Sequence, residues 1–114
     1  MITIPTATIV APTDFKIRLH CTDDSFDATK DFIAIRFFVD TEDCAYEVCS
    51  DPEHELSKNC KIDDGDLLVI FENYPFREGT LSYRMHLRNE DTDFIDDHAD
   101  KYSTAAKTGI TFVI

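Results

Sequence analysis

Three aspartates crowd one glycine in Asp63-Asp64-Gly65-Asp66, the first place in this 114-residue chain where residue types and spacing invite chemistry. Carboxylates that close are the raw material of a calcium loop, but such a loop runs D-x-D-x-D-G and ends on a distal glutamate. That order is missing here, and a tight hairpin turn with positive φ at Gly65 is the better reading. A second acidic set, Asp96-Asp97-His98-Ala99-Asp100, has ligands for a divalent ion only if its backbone is rigid, and reads as a solvated loop. The histidines, His20, His54, His86 and His98, are scattered, with His20 and His86 on outward strand faces. There is no G-x-S-x-G, no H-E-x-x-H and no glycine-rich phosphate loop, for which three glycines are too few. Neither catalysis nor a cofactor or metal is expected.

The four cysteines, Cys21, Cys44, Cys49 and Cys60, never occur as C-x2-C, which leaves a structural zinc site without support. The opening MITIPTATIVAP has no basic residue and no long apolar block, so it is not expected to be a secretory signal. Thiols made in a reducing cytosol are expected to stay reduced, with a Cys49–Cys60 bridge between neighbouring strands as the rival.

Net charge is −12, from 23 acids against 11 bases, which argues against duplex nucleic acid as a partner. Apolar stretches run to only about five residues, too short for a helical membrane span. The charge is segregated: Lys16, Arg18, Arg36, Arg84 and Arg88 fall in predicted strands while acids crowd the loops. Two readings stand. The charges pair and solvate within one copy, or basic faces meet acidic loops of another copy, an association that salt would weaken.

The elements that position these residues are strands, organised around residues 61–89. Leu81, Tyr83, Met85 and Leu87 alternate with Ser82, Arg84, His86 and Arg88, the period of a strand with one buried face. Residues 67–71, LLVIF, are apolar on both parities and read as a strand covered on both sides. Phe15, Ile17 and Leu19 alternate with bases, and Ile33, Ile35, Phe37 and Val39 face inward from the next strand. Phe32, Ala34, Arg36 and Phe38 leave its other face too apolar for plain solvent, so a loop or a partner should cover it. A polar loop at 22–30 carries Phe26 as an anchor, a short strand at 44–49 passes through Tyr46 and Val48, and an acidic loop at 50–55 follows. Tyr74 and Phe76 are expected to fold back and plug one end of the body, with a partner contact as the alternative. Phe94 and Ile95 should tack a helical turn to the core, and Ile110, Phe112 and Ile114 should face inward from a last strand. Pro5 excludes a central strand for residues 2–10, which are an edge strand or an arm docking on a neighbour.

The expected fold is all-β: a single Ig-like antiparallel β-sandwich of about seven strands, with one short helical turn near residues 92–98. Residues 1–12 form the arm or edge strand and 13–114 the sandwich domain. The chosen contact residues are Ile2, Ile4, Ile9, Val10, Phe32, Phe38, Tyr74 and Phe76.

The order D-F-K-I-R-L, F-I-A-I-R-F-F-V-D with Tyr46-Glu47 after it, C-K-I-D-D-G-D-L-L-V-I-F-E-N, G-T-L-S-Y-R-M-H-L, D-T-D-F-I-D and terminal T-G-I-T-F-V-I resembles small β-sandwich modules in virion proteins of Bacteroidetes phages and prophages, including crAss-like phages. The likeness spans residues 14–114. It implies a non-enzymatic virion structural protein made in the bacterial cytoplasm, such as a head fibre or decoration protein, self-associating as a trimer or dimer and docking on other virion proteins. Since the sequence ends at Ile114, a distal receptor-binding domain is not expected. The rival expectations are a tail or baseplate adaptor, and a carbohydrate-binding module with Tyr46, Tyr74 and Tyr102 stacking on sugars.

Overall fold

A computed structural model describes residues 2–21, 31–50 and 59–114, with the side chains of Ile2, Thr3, His20, Cys21, Cys49 and Ser50 outside the description. The Phe26 anchor and the acidic loop with His54 lie outside the described residues, as do the side chains that a Cys49–Cys60 bridge would need. Among the described residues there are ten strands: β1 (Ile2–Thr3), β2 (Ala7–Val10), β3 (Phe15–Cys21), β4 (Phe32–Val39), β5 (Thr41–Ser50), β6 (Cys60–Asp63), β7 (Asp66–Phe71), β8 (Gly79–Glu90), β9 (His98–Tyr102) and β10 (Ala106–Val113). The first sheet runs β1-β3-β7-β6 and the second β2-β10-β8-β4-β5, with β9 also paired to β8. With β2, β5 and β9 set aside, the other seven strands lettered A to G in chain order give the A-B-E-D and G-F-C sheets of an immunoglobulin-type sandwich, to which β2 adds beside G, β5 beside C and β9 beside F.

The two inner faces are those that alternation picks out. Ile17 and Leu19 of β3 and Leu67, Val69 and Phe71 of β7 meet Ile33, Ile35 and Phe37 of β4, Leu81 of β8 and Ile110 and Phe112 of β10, all buried in one core. Phe71 is its hub, stacked on Phe15 at 4.6 Å and Tyr46 at 4.9 Å and set edge-on to Phe37 at 5.0 Å. Such ring pairs add about 0.5–1.5 kcal/mol each beyond area burial. Tyr74 and Phe76 are buried and close one end: the Tyr74 hydroxyl donates to the Thr13 carbonyl, and both rings lie against Phe112. The plug expected of these two residues is what forms.

Four features differ from expectation. The strands number ten because the N-terminal segment splits in two and residues 98–102 form a strand of their own. One pair is parallel: β2 runs alongside β10, with Ala7 opposite Ile110 and Val10 opposite Val113. Pro5 sits at the crossing between β1 on one sheet and β2 on the other, where no ladder N–H is required. Residues 2–10 thus pack on their own domain, with Ile4, Ala7, Ile9 and Ala11 against the core.

The third difference is that no helix occurs among the described residues, and 92–98 is no exception. Residues 91–97 make two successive turns, with Phe94 N donating to Asp91 O and Asp97 N to Phe94 O, closed by Asp91 N on Asp97 O. Asp91 Oδ1 also accepts from Asp93 N, the local side-chain bond that competes with helix, and Asp97 has φ +60°. Phe94 and Ile95 therefore stand in solvent and do not reach the core. Lastly, β10 stops at Val113, so Ile114 is also exposed, not inward.

Candidate functional site

The Asp63-Asp64-Gly65-Asp66 stretch is a two-residue hairpin turn, Asp64 and Gly65 both having positive φ and Asp63 facing Asp66 across it. Arg18 Nη1 donates to the Asp63 carbonyl at 3.0 Å and to Asp66 Oδ2 at 3.2 Å, and Nη2 pairs with Asp63 Oδ2. These carboxylates serve to hold β3 to the turn. Among the described residues, no three His, Cys, Asp or Glu side chains are grouped to hold a metal ion.

A denser grouping of charged and aromatic side chains lies on the outer face of the six-stranded sheet. Its register lines up Ala34 and Arg36 of β4, Arg84, His86 and Arg88 of β8, and Asp100 and Tyr102 of β9. Ala34 is small, so the face sinks there into a hollow of about 510 Å3 walled by Arg36, Glu47, Arg84, His86 and Tyr102. His86 stacks on Tyr102 at 4.4 Å, with Phe32 edge-on at 5.2 Å and the Arg88 guanidinium 5.9 Å above the Phe32 ring. Asp100 Oδ1 accepts from Arg88 Nε at 2.9 Å and meets His86 Nε2 at 2.7 Å. Arg88 first, then His86, holds the Asp100 carboxyl below its ordinary range. On the opposite rim Arg36 pairs with Glu47 and Arg84 with Glu42. Small apolar floor, aromatic wall and guanidinium rim together suit an apolar group carried between acids.

A second accessible region lies at the free corner of the same sheet. Val10 and Val113, register partners, are 56% and 36% exposed, and Ile114 beyond them is 82% exposed. Among the described residues no strand pairs with the outer edge of β2. A hollow of about 370 Å3 lined by Ala11, Pro12, Pro75, Arg77 and Ile114 adjoins it.

Of the residues chosen from sequence, Val10 is exposed, and Ile4 and Ile9 are half-buried against their own core. Phe32 is half-buried at the rim of the aromatic wall. Phe38, Tyr74 and Phe76 are buried within the chain and present no surface to a partner. Phe38 is outward by parity, but β5 sets residues 42–45 opposite it, since Phe37 pairs with Tyr46 and Val39 with Thr41. The backbone of Ile2 pairs with Cys21 on β3. Alternation put Ala34 and Arg84 on outward strand faces without choosing either as a contact residue, and Phe94 and Ile95 were expected against the core. The one signal was the apolar outer parity of β4, in which Ala34 is the small residue between Phe32 and Arg36.

No protein-family model matches the chain, and no curated protein matches it in sequence.

Proposed function

We propose that the chain is a non-enzymatic structural protein of a bacteriophage virion, a head fibre or decoration protein that self-associates and docks on other virion proteins. The observation that carries this reading is the exposed apolar pair of register partners Val10 and Val113, with Ile114 exposed beyond them, beside the open edge of β2. Open edges and contiguous exposed apolar side chains mark surfaces that take up protein. A chain of net charge −12 keeps such a surface in solution until it finds its partner. The resemblance of residues 14–114 to virion sandwich modules supports the same role. The sugar-binding alternative retains Tyr102 alone as an exposed ring, because Tyr74 is buried and the Tyr46 hydroxyl is engaged with Ile70 O.

The test is the particle itself. Virions purified from a host that expresses the gene should contain the chain in many copies, with antibody label at the head. Label confined to the tail would favour the baseplate-adaptor role, and absence from washed particles would overturn the proposal.

A further inference from the structure

We propose that the Phe94-Ile95 turn of one copy seats in the Ala34 hollow of a second copy, so that assembly runs head to tail. This rests on the reading that the chain self-associates and names the surfaces of that contact, leaving the Val10–Val113 corner to the other virion proteins.

Ile95 is fully exposed and Phe94 more than half exposed, yet the turn that carries them is ordered by three backbone hydrogen bonds and the Asp91–Asp93 bond. A preorganised apolar tip loses little entropy on docking. Asp91, Asp93, Asp96 and Asp97 surround it, so the tip is an apolar knob in an acidic collar.

The hollow has the complementary character. Its floor at Ala34 is apolar, one wall is the His86–Tyr102 stack, and its rim holds Arg36 and Arg84, whose side chains stay 49% and 50% exposed despite their partners Glu47, also on the rim, and Glu42. A guanidinium carries five N–H donors, more than those pairs use. Room for two side chains exists in about 510 Å3.

A copy cannot fill its own hollow. Knob and hollow lie on one ribbon: Glu90 opposite His98 closes the turn, while His86 opposite Tyr102 walls the hollow four residues back. That separation is about 13 Å along a stiff hairpin. Two knobs cannot meet each other either, because their collars repel. A contact between unlike surfaces generates a ring if its rotation closes and a filament if it does not.

The experiment uses the full chain with Ile95→Asp as knob variant and Ala34→Glu as hollow variant. Tyr102→Asp, at an exposed wall position, serves as a second hollow variant should Ala34→Glu fail to fold. Each alone should lose self-association at least about tenfold, as expected for a central apolar anchor. An equimolar mixture of knob and hollow variants should recover a complex that stops at two copies, because one intact knob meets one intact hollow. Wild-type association left unchanged in folded variants, or a mixture that stays monomeric, overturns the inference while leaving self-association standing. A wild-type chain that never associates overturns both.

Discussion

The Tyr74 hydroxyl donates a 2.6 Å hydrogen bond to the Thr13 carbonyl, tying the β7–β8 connection to the β2–β3 connection 61 residues away. Tyr74→Phe leaves that carbonyl without its donor and should cost about 1–2 kcal/mol, read as a lower thermal midpoint. Burial, and after it the Asp14 charge, raise the phenol's pKa above its ordinary value. The folded state therefore holds this proton more tightly than the unfolded chain. The resulting stability is present below the unfolded value of about 10 and is lost as pH rises through the folded one. Alkaline unfolding should shift in Tyr74→Phe relative to wild type; identical profiles would remove this role.

Asp100 titrates in the opposite sense. Its carboxyl is held low by Arg88 and His86, so its contribution is present above the unfolded aspartate value and lost as pH falls through the folded one. The NMR titration midpoint of its carboxyl carbon should lie below the ordinary range, and Arg88→Ala should raise it toward that range. Because the pair is exposed, added salt should do the same in part.

Gly109 lies where the N-terminal segment crosses. A Cβ built there would meet Thr6 Oγ1 at 2.6 Å and Thr6 Cα at 3.3 Å. Gly109→Ala should cost about 1–3 kcal/mol, the range for overpacking. Thr6→Ala in the same chain should recover part of it, since it removes the closer contact. Additive effects of the two substitutions in denaturant melts would contradict this contact.

Removing residues 1–11 should not release a tidy monomer. It strips β1 from β3 and β2 from β10 and uncovers the core beneath Ile4, Ala7 and Ile9. The truncated chain should melt broadly or aggregate. A sharp transition close to the wild-type midpoint would show that the segment is dispensable for the fold.

Strands with one inward face were legible in the sequence: Ile17 and Leu19, and Ile33 and Ile35, are all buried as their spacing requires. Residues 67–71 were expected to be covered on both sides, yet Leu67, Val69 and Phe71 are buried while Leu68 and Ile70 are only half-buried. The tight turn at Asp64-Gly65 was legible too, because type I′ geometry demands positive φ. β9 was not: of HADKY only Ala99 is buried, and backbone pairing to β8 holds the strand without an apolar stripe. The parallel β2–β10 pair joins segments about a hundred residues apart, which no local pattern encodes. The Ala34 hollow escaped for a related reason. It is assembled from β4, β5, β8 and β9, and no one of them shows it alone.

The most direct test of the account is sedimentation of the unmodified full chain over a wide concentration range, at low and at high salt. At low salt the mass should climb above 13.1 kDa with concentration, and raised salt should bring it back toward that value. A species of 13.1 kDa at every concentration and every salt would contradict the account.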